Sequence, residues 1–415
     1  MRVLLSDGSG LTARQCAGLL SRAGHRVDVL ASGDLPLAAF TRYVHRVHRL
    51  PAYGPDPLTW WDAAVAVLDK TGPDVLLPTQ EQVGVISLRL RELRGLGVGT
   101  AVPAFSALTR VQDKLAADRT LREAGLRRPH SWVATDRDQL LEGVTGPAFL
   151  KLPIGTAGTG VVRVGDRREV PGAADRFERS GAFAGDGVLV EEPVAGPLVM
   201  VQAVFDAGRL VVLHANDRTR EGAGGGASSK TSRRTDDLID DVVRLGAHLN
   251  WQGALSLDAI ATADGPVWID VNPRVVEPGA AARDGVDLLG PLLALATGSP
   301  VSPLPIPPEP TSPRPIPGVR THQLLLAVLG AAESGGGRVG VAKELLLAAA
   351  GRGPYANSTE ELTPLSGDPL AGIPVLVSAA ACLLRPEWHR PFTHGAVSNY
   401  ALTSVGWQML LDEAR

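Results

Sequence analysis

The sequence predicts a multidomain protein of the α/β and α+β classes, with a Rossmann-like parallel domain at its start. Its 415 residues exceed what one compact core normally holds, so we expect several domains. Across 1–102, short apolar runs alternate with amphipathic segments at the spacing of parallel βαβ units. From 147 to 213, several apolar runs follow one another closely, which indicates a series of short strands.

The composition narrows the classes of function. A formal net charge of −3 offers no electrostatic surface for nucleic acid or an anionic membrane. Two cysteines are too few for a disulfide framework or a cysteine-based zinc site. The chain turns polar after MRVLL and has no apolar run long enough for a membrane span. We therefore expect a cytoplasmic protein that acts on small molecules.

The first domain begins with a strand, a helix and a strand, which are RVLLS, LTARQCAGLLSRAGH and RVDVL. DVLLP (74–78) is a further buried strand, and PTQEQ (78–82) follows it. Open α/β sheets bind ligands at the carboxyl ends of their strands, so PTQEQ occupies a position suited to a ligand. The DGSG turn (7–10) is either a tight connection or an anion-binding turn.

The middle of the chain mixes helices and strands. Residues 113–125 predict a helix that ends at a glycine, and further helices are expected near 236–249 and 283–297. The expected strands are PAFLKL, GVVRV, GVLVEEPV, VMVQAVF and RLVVLHA. A proline-rich stretch then predicts an extended linker over 301–318, and apolar helical runs over 319–415 indicate a smaller C-terminal domain.

Two aspartates are expected to meet in a hairpin within ALSLDAIATADGPVWIDVNPR (254–274). A three-residue loop, ADG, places Asp258 directly opposite Asp270, with Asn272 two residues further on the same face. Like charges directly opposed across strands destabilise a sheet unless a cation lies between them. Carboxylate and amide oxygens favour Mg²⁺. The alternative is two solvated aspartates on an exposed hairpin, and a one-residue shift of register would separate them.

The DVNPR segment (270–274) resembles the E-x-N-P-R signature of the ATP-grasp superfamily, with Asp in place of Glu. Other segments fit the family's order: DK (113–114), FLKLPIGTAGTGV (149–161) and VLVEEPVAG (188–196). The resemblance covers about 1–300. It implies a pre-ATP-grasp domain (1–102) and an ATP-grasp domain (103–300) whose lid subdomain spans about 128–195.

This resemblance assigns roles to individual residues. Lys114 and Lys151 would contact the phosphates of ATP, and Arg274 would stabilise an acyl phosphate. The glycine-rich loop that follows Lys151 would close over the phosphates as a lid, through Gly155, Thr156, Gly158, Thr159 and Gly160. The adenine site would use Glu191, Glu192 and Val194. The ion, Mg²⁺ or Mn²⁺, would be held by Asp258, Asp270 and Asn272.

The sequence departs from the family pattern at several positions. An acid often holds ribose just beyond the adenine-binding strand, but PLVMVQ places Val199 there, which leaves Gln202 as the alternative. Asp270 is one methylene shorter than the usual Glu. Glu277 is an extra carboxylate that either recognises an amino substrate or bonds to the backbone that follows it.

A glycine-rich segment, NDRTREGAGGGASSKTSRR (216–234), predicts a mobile loop rather than a packed element. Its position between the predicted strands and the aspartate hairpin is where the family has a substrate loop. Lys230 would then close over phosphates or over a substrate carboxylate, as a catalytic residue. The alternative is a disordered surface insertion.

Together these features predict an ATP-dependent ligase that activates a carboxylate as an acyl phosphate and couples it to an amine, releasing ADP and phosphate. The alternatives are an activity similar to that of biotin carboxylase or carbamoyl-phosphate synthase, and a nucleotide-binding module without turnover. The sequence does not identify the carboxylate, the amine or the pathway. A homodimer is the default expectation for a soluble enzyme.

Overall fold

The computed structural model describes residues 1–156, 158–305 and 316–415. The chain is a mixed α/β protein with a parallel N-terminal sheet, a four-stranded antiparallel sheet and a seven-stranded sheet. Of the predicted proline-rich linker, 306–315 lie outside the described residues. No helix in the described part of the chain is both long enough and apolar enough to cross a membrane.

The N-terminal sheet is parallel, with the strand order β3-β2-β1-β4. Capping residues set the two ends of helix α2. Asp56 caps its start by accepting from the Thr59 N–H, and Gly72 ends it in the left-handed conformation. Trp60 and Trp61 of this helix are buried in the core. The elements are β1 (Arg2–Leu5), α1 (Leu11–Arg22), β2 (Arg26–Ala31), β3 (Arg46–Arg49), α2 (Pro57–Thr71), β4 (Val75–Leu77), α3 (Val83–Leu88) and α4 (Leu90–Gly95).

The second sheet forms a small lid with the order β5-β8-β6-β7 and a separate hydrophobic core. Two helices, α5 and α6, lead into it. Asp113 accepts from the N–H groups of Leu115 and Ala116, which caps α6, and Gly125 follows that helix in the left-handed conformation. The elements are α5 (Phe105–Gln112), α6 (Lys114–Glu123), β5 (Ser131–Ala134), α7 (Arg137–Gly143), β6 (Ala148–Lys151), β7 (Val161–Val164), α8 (Val170–Arg179) and β8 (Val188–Glu191).

The seven-stranded sheet has the order β13-β12-β9-β10-β11-β14-β15, so its last two strands come from the C-terminal part of the chain. Along β9, Val199 and Val201 point into the main core, and α5, α6 and α9 cover that face. The elements are β9 (Leu198–Asp206), β10 (Arg209–Glu221), β11 (Ala227–Ser232), α9 (Ile239–Leu249), β12 (Gly253–Thr262), β13 (Gly265–Asn272), α10 (Gly279–Arg283), α11 (Leu289–Ala296), β14 (Arg320–His322) and β15 (Ser358–Glu360).

The C-terminal helices pack both on this sheet and on the N-terminal domain. Helix α12 contacts β11, and α16 returns to α2 and α3. The single helix predicted near 283–297 is two shorter helices, because Gly285 takes a positive φ of 79° between them. The remaining elements are α12 (Leu324–Glu333), α13 (Gly337–Ala349), α14 (Gly372–Leu384), α15 (His389–Ser398) and α16 (Ser404–Glu413).

Candidate functional site

The hairpin of β12 and β13 brings the two aspartates together. Asp258 pairs directly with Asp270, as predicted, but the expected three-residue loop is wrong. Thr262 pairs with Gly265, which leaves a two-residue loop and a register one residue away from the predicted one. An irregularity at Ile269 then inserts one extra residue into β13 and restores the aspartate pair. The bulge therefore sets which carboxylates face each other.

The electrostatics of this pair favour a bound cation. Burial, and then the neighbouring Asp270, raise the pKa of Asp258 to about 7, although Arg218 and Lys151 act in the opposite direction. The Asn272 side-chain amide lies 3.5 Å from Asp270 Oδ2. A divalent cation would relieve the repulsion between the carboxylates, and the donors are the oxygens that Mg²⁺ prefers. Within the described residues, no cluster of three or more His, Cys, Asp or Glu side chains forms a ready metal cage. Phosphate oxygens would have to complete the coordination.

Lys151 links the lid to this hairpin. Its ammonium lies 2.5 Å from Glu191 Oε2 on the neighbouring strand β8. It also donates a 2.9 Å hydrogen bond to the carbonyl of Ile269, the extra residue of the bulge. The bulge therefore both pairs the aspartates and presents a carbonyl to the lid lysine. Burial raises the pKa of Glu191 even though Lys151 opposes that shift.

A cleft lies between the lid and the seven-stranded sheet, with an empty volume of about 290 Å³. Only about 10 Å³ of that space can hold a water molecule, so the cleft is nearly closed. Its charged lining residues are Lys114, Asp118, Arg128, Lys151, Glu191 and Asp270, with Leu121, Leu189 and Trp268 among the apolar ones. This combination of an apolar wall and opposed charges suits a nucleotide, and the lid would have to open to admit it.

Lys114 lies at the first turn of α6, against the glycine loop. Its ammonium donates a 2.7 Å hydrogen bond to the Gly155 carbonyl, and its backbone N–H donates to the carbonyl of Pro153. Both predicted phosphate lysines, Lys114 and Lys151, therefore line one cleft. Of the predicted loop 155–160, Ala157 lies outside the described residues.

The rest of the glycine loop forms a tight turn. The Thr159 hydroxyl donates to the Thr156 carbonyl at 2.6 Å, and the Thr159 N–H binds the same carbonyl. Gly158 and Gly160 have positive φ angles of 76° and 79°. A Cβ atom at Gly155 would lie 2.2 Å from the Thr159 carbonyl oxygen, so the turn requires glycine there.

The two glutamates at the end of β8 point in different directions. Glu191 is buried in the cleft, whereas the side chain of Glu192 is 69% exposed and lies 3.2 Å from His130. The Glu192 N–H is also engaged, since it donates to the His130 carbonyl. The Glu192 side chain therefore does not line the cleft, and its contact with adenine stays a prediction. Val194 is half-buried in the turn that follows.

Neither candidate for the ribose position faces the cleft. Val199 is fully buried in the core of the sheet. Gln202 is buried too, and its amide donates to the backbone carbonyl of Val276, so it lies beside the segment after the DVNPR motif. The suggestion that Gln202 replaces the missing ribose acid is therefore not supported by this geometry.

Arg274 connects the lid to the N-terminal domain. Its guanidinium lies 3.2 Å from Glu81 Oε1 and donates to the Thr156 hydroxyl at 3.0 Å. Gln112 holds the other carboxylate oxygen of Glu81 at 2.6 Å. Glu81 belongs to PTQEQ, the segment whose position after a parallel strand predicted a ligand site. The sequence indicated the segment but not the role of Glu81 as the partner of Arg274.

The segment predicted as a mobile loop over 216–234 is instead a β-hairpin of the large sheet. Strands β10 and β11 pair across it, and only Gly222–Gly226 form the turn. The turn packs on α12 so closely that a Cβ at Gly330 would lie 2.8 Å from the Ala223 nitrogen. The glycines are ordered because the C-terminal helix supplies a packing partner that the local sequence does not reveal.

Lys230 is therefore buried rather than mobile. It lies between the carboxylates of Glu277 and Glu361, and Gln323 donates to both carboxylates, at 2.5 Å and 2.6 Å. Burial alone would lower the pKa of Lys230, but the two carboxylates outweigh it and raise that pKa above its ordinary value. A lysine held in this way is charged and fixed in place. The predicted movement of Lys230 over a phosphate does not fit this buried position.

Cross-strand register relates this cluster to the aspartates. One row across the sheet consists of Asp270, Asp258, Met200, Asn216 and Ser232. Lys230 precedes Ser232 by two residues on the same strand, so it projects from the same face. One face of the seven-stranded sheet therefore carries both the candidate metal site and the buried lysine.

Comparison with known proteins agrees with this geometry. Residues 111–278 match the family model of the ATP-grasp domain. A protein named probable alpha-L-glutamate ligase, from Thioalkalivibrio sulfidiphilus (strain HL-EbGR7), is 26% identical over 297 residues, which is 69% of this chain and 92% of that protein.

Solved structures share the fold at low identity. A biotin carboxylase from Campylobacter jejuni in complex with β,γ-ATP superposes with a TM-score of 0.58 at 15% identity, over 72% of each chain. An L-amino acid ligase from Bacillus licheniformis superposes with a TM-score of 0.55 at 17% identity, over 76% of this chain and 78% of that one. At such identities the likeness establishes the fold alone.

Proposed function

Because residues 111–278 match the ATP-grasp domain, we propose that the chain is an ATP-dependent ligase that joins a carboxylate to an amine. The observation that carries the proposal is the charge arrangement of the cleft, which Lys114, Lys151 and Asp270 line, with Asp258 paired to Asp270. The relatives named as a glutamate ligase and an L-amino acid ligase support the same reaction class.

The residues of the cleft suit phosphate binding. Lys114 and Lys151 are compact cations that would leave their present partners, Gly155 and Glu191, to contact phosphate oxygens. The backbone N–H groups of the glycine turn would approach the same oxygens closely. Asp258, Asp270 and Asn272 would hold Mg²⁺ or Mn²⁺, which supplies charge neutralisation to the phosphates when bound.

The proposed reaction has two steps. A substrate carboxylate oxygen attacks the terminal phosphorus of ATP, the bond to ADP breaks, and an acyl phosphate forms. The amine nitrogen then attacks the acyl carbon, phosphate leaves, and the nitrogen loses a proton. Arg274, held between Glu81 and Thr156, is positioned to stabilise negative charge on the acyl phosphate.

The test is release of ADP and phosphate from ATP with pooled carboxylic acids and amines, followed by mass detection of coupled products. The proposal predicts release that requires both an acid and an amine. Release driven by bicarbonate alone would instead indicate a carboxylase-type activity. Binding of ATP without release under any pool would indicate a nucleotide-binding module and contradict the proposal.

A further inference from the structure

A second polar centre lies outside the nucleotide cleft, at Lys230, Glu277, Glu361 and Gln323. All four side chains are less than a tenth exposed. Two carboxylates face one ammonium, so the centre carries a net negative charge inside the protein. Burying an unbalanced charge is unfavourable unless a further cation or several donors are available to it.

The unused hydrogen-bonding atoms of this centre are mainly acceptors. Throughout 1–156, 158–305 and 316–415, no partner exists for Glu361 Oε2, Gln323 Oε1 or Gln202 Oε1, although all three atoms are buried. Gln202 borders the centre, since its amide nitrogen donates to the backbone carbonyls of Val276 and Glu277. Buried polar atoms normally find partners, so three unpaired acceptors on residues around Glu277 indicate a ligand rich in N–H donors.

The backbone at Glu277 is held in an unusual conformation. Its φ angle is +45°, in the left-handed region that a glutamate rarely adopts. The N-terminal domain fixes this segment, because the Thr12 hydroxyl accepts from the Glu277 N–H at 3.3 Å and Gln15 accepts from the Gly279 N–H at 2.7 Å. Such local strain is typical of a residue whose side chain must be aimed at a binding site.

We propose that this centre binds the primary ammonium group of an amino-acid substrate through the free acceptors of Glu361, Gln323 and Gln202, with the Glu277 carboxylate beside them. An ammonium carries three N–H donors and one positive charge, which complements three free acceptors and an excess carboxylate. A substrate carboxylate would be repelled there. This inference rests on the proposed function, since it names the class of the ligase substrate.

The location fits a substrate that spans two sites. Asp258 of the metal hairpin and Lys230 project from the same face of the seven-stranded sheet, and Lys230 contacts Glu277. Asp258 lies on this face of the sheet, and Glu277 lies in the segment that follows β13. An amino acid with its ammonium at the buried centre would therefore direct its carboxylate toward the phosphate site.

The experiment is titration calorimetry on the full chain with Mg²⁺ and a non-hydrolysable ATP analogue. The probes are the common L-amino acids, each paired with the analogue that has hydrogen in place of the ammonium group. We expect at least one amino acid to bind about 10- to 100-fold more tightly than its partner, as for a charged hydrogen-bonded group. Equal binding within every pair, or no binding of any amino acid, would overturn the inference without any mutation.

Two variants extend the test to the residues. Glu361→Gln should weaken the preferred amino acid about 10- to 100-fold while leaving binding of the nucleotide analogue unchanged. Glu344→Gln is the matched control, because Glu344 is also buried in the C-terminal region and paired with Arg220, and it should leave both affinities unchanged. Unchanged amino-acid affinity in Glu361→Gln would contradict the assignment.

The titration and the ADP-release assay together separate this inference from the proposed ligase activity. Ammonium-dependent binding with no ADP release under any pool would sustain the inference and contradict the ligase. Coupling of acids that lack an amino group, with no preference for amino acids, would sustain the ligase and overturn the inference.

Discussion

At the scale of single residues, the paired aspartates carry the most specific prediction. Asp270→Ala should lower Mg²⁺-dependent turnover at least about 100-fold, because it removes a proposed ligand of the ion that neutralises phosphate charge. Asp264→Ala on the exposed tip of the same hairpin is the control and should retain turnover. Steady-state ADP release measures both, and retained turnover in Asp270→Ala would refute the metal assignment.

Asp7 provides a prediction of pH dependence. Burial raises its pKa from 3.8 to about 6, although the N–H groups of Gly10 and Ser9 and the charge of Arg274 lower it. The folded state therefore holds a proton that the unfolded state releases, and the unfolding free energy falls as pH rises from about 4 to about 6, by about 2 to 3 kcal/mol.

Asp7→Asn should reduce the fall over this window by about 2 to 3 kcal/mol, because asparagine keeps an oxygen acceptor but does not titrate, while Asp258, whose pKa is also raised, keeps its own contribution. Urea unfolding of both proteins at several pH values in that window measures the difference. A slope of the same size in Asp7→Asn would show that another group is responsible.

These residues also show what the sequence could and could not predict. The facing of Asp258 and Asp270 followed from strand alternation and a hairpin, although the loop length was wrong by one residue and the bulge at Ile269 compensated. Bulges depend on how neighbouring strands pack, so alternation alone does not reveal them. The partners of Lys230 come from distant parts of the chain, which no local pattern reports.

At the scale of elements, the glycine-rich hairpin turn and helix α12 depend on each other. Gly330→Ala should destabilise the protein by about 1 to 3 kcal/mol, because its Cβ would meet the backbone of Gly222 and Ala223 at 3.0 Å or less. Thermal unfolding measures the change.

Gly340→Ala is the matched control in the next helix, α13. Its Cβ would lie 3.5 Å from the nearest atom, which is ordinary contact. Alanine favours helix over glycine by about 1 kcal/mol, so this variant should be neutral or more stable. Equal behaviour of the two variants would contradict close packing of the turn on α12.

Most elements were predictable from apolar periodicity, including the strand that carries Lys151 and the helix that begins at Lys114. The segment over 216–234 was predicted wrongly, because its glycine and serine content indicated a loop whereas it forms two paired strands. Its glycines occupy only the turn, and Ser228, Lys230 and Ser232 lie on one buried face of β11. Glycine content predicts mobility only when no other element packs on the backbone.

At the scale of the whole molecule, the two ends of the chain are joined by a buried ion pair. Arg14 of α1 lies 2.8 Å from Asp368, with both side chains at most 2% exposed, and Thr41 donates to the same carboxylate. Asp368→Ala should cost about 3 to 5 kcal/mol, because it leaves a buried guanidinium without its partner.

Asp412→Ala, which removes an exposed partner of Arg415, should change the unfolding free energy by less than about 1 kcal/mol. Denaturant unfolding of both variants makes the comparison. A small effect of Asp368→Ala would mean that the N-terminal and C-terminal regions do not unfold as one unit.

The division into domains stays a prediction, because elements of the C-terminal region complete the large sheet and return to the N-terminal domain. A homodimer likewise stays a prediction. The fold class was accessible from the sequence because it depends on the order of strands and helices. The contact of the N-terminal domain, strand β11 and the C-terminal region around Glu277 was not accessible from the sequence, since it depends on long-range packing.

The central claim is that a substrate carboxylate attacks ATP to form an acyl phosphate. Its most direct test supplies the protein with an accepted acid whose carboxylate oxygens are isotopically heavy, and determines the mass of the released phosphate. Attack by the carboxylate predicts that each released phosphate carries one heavy oxygen. The amine displaces phosphate by breaking the carbon–oxygen bond of the acyl phosphate, so the oxygen from the acid stays on phosphorus. Release of phosphate without any heavy oxygen would contradict the account.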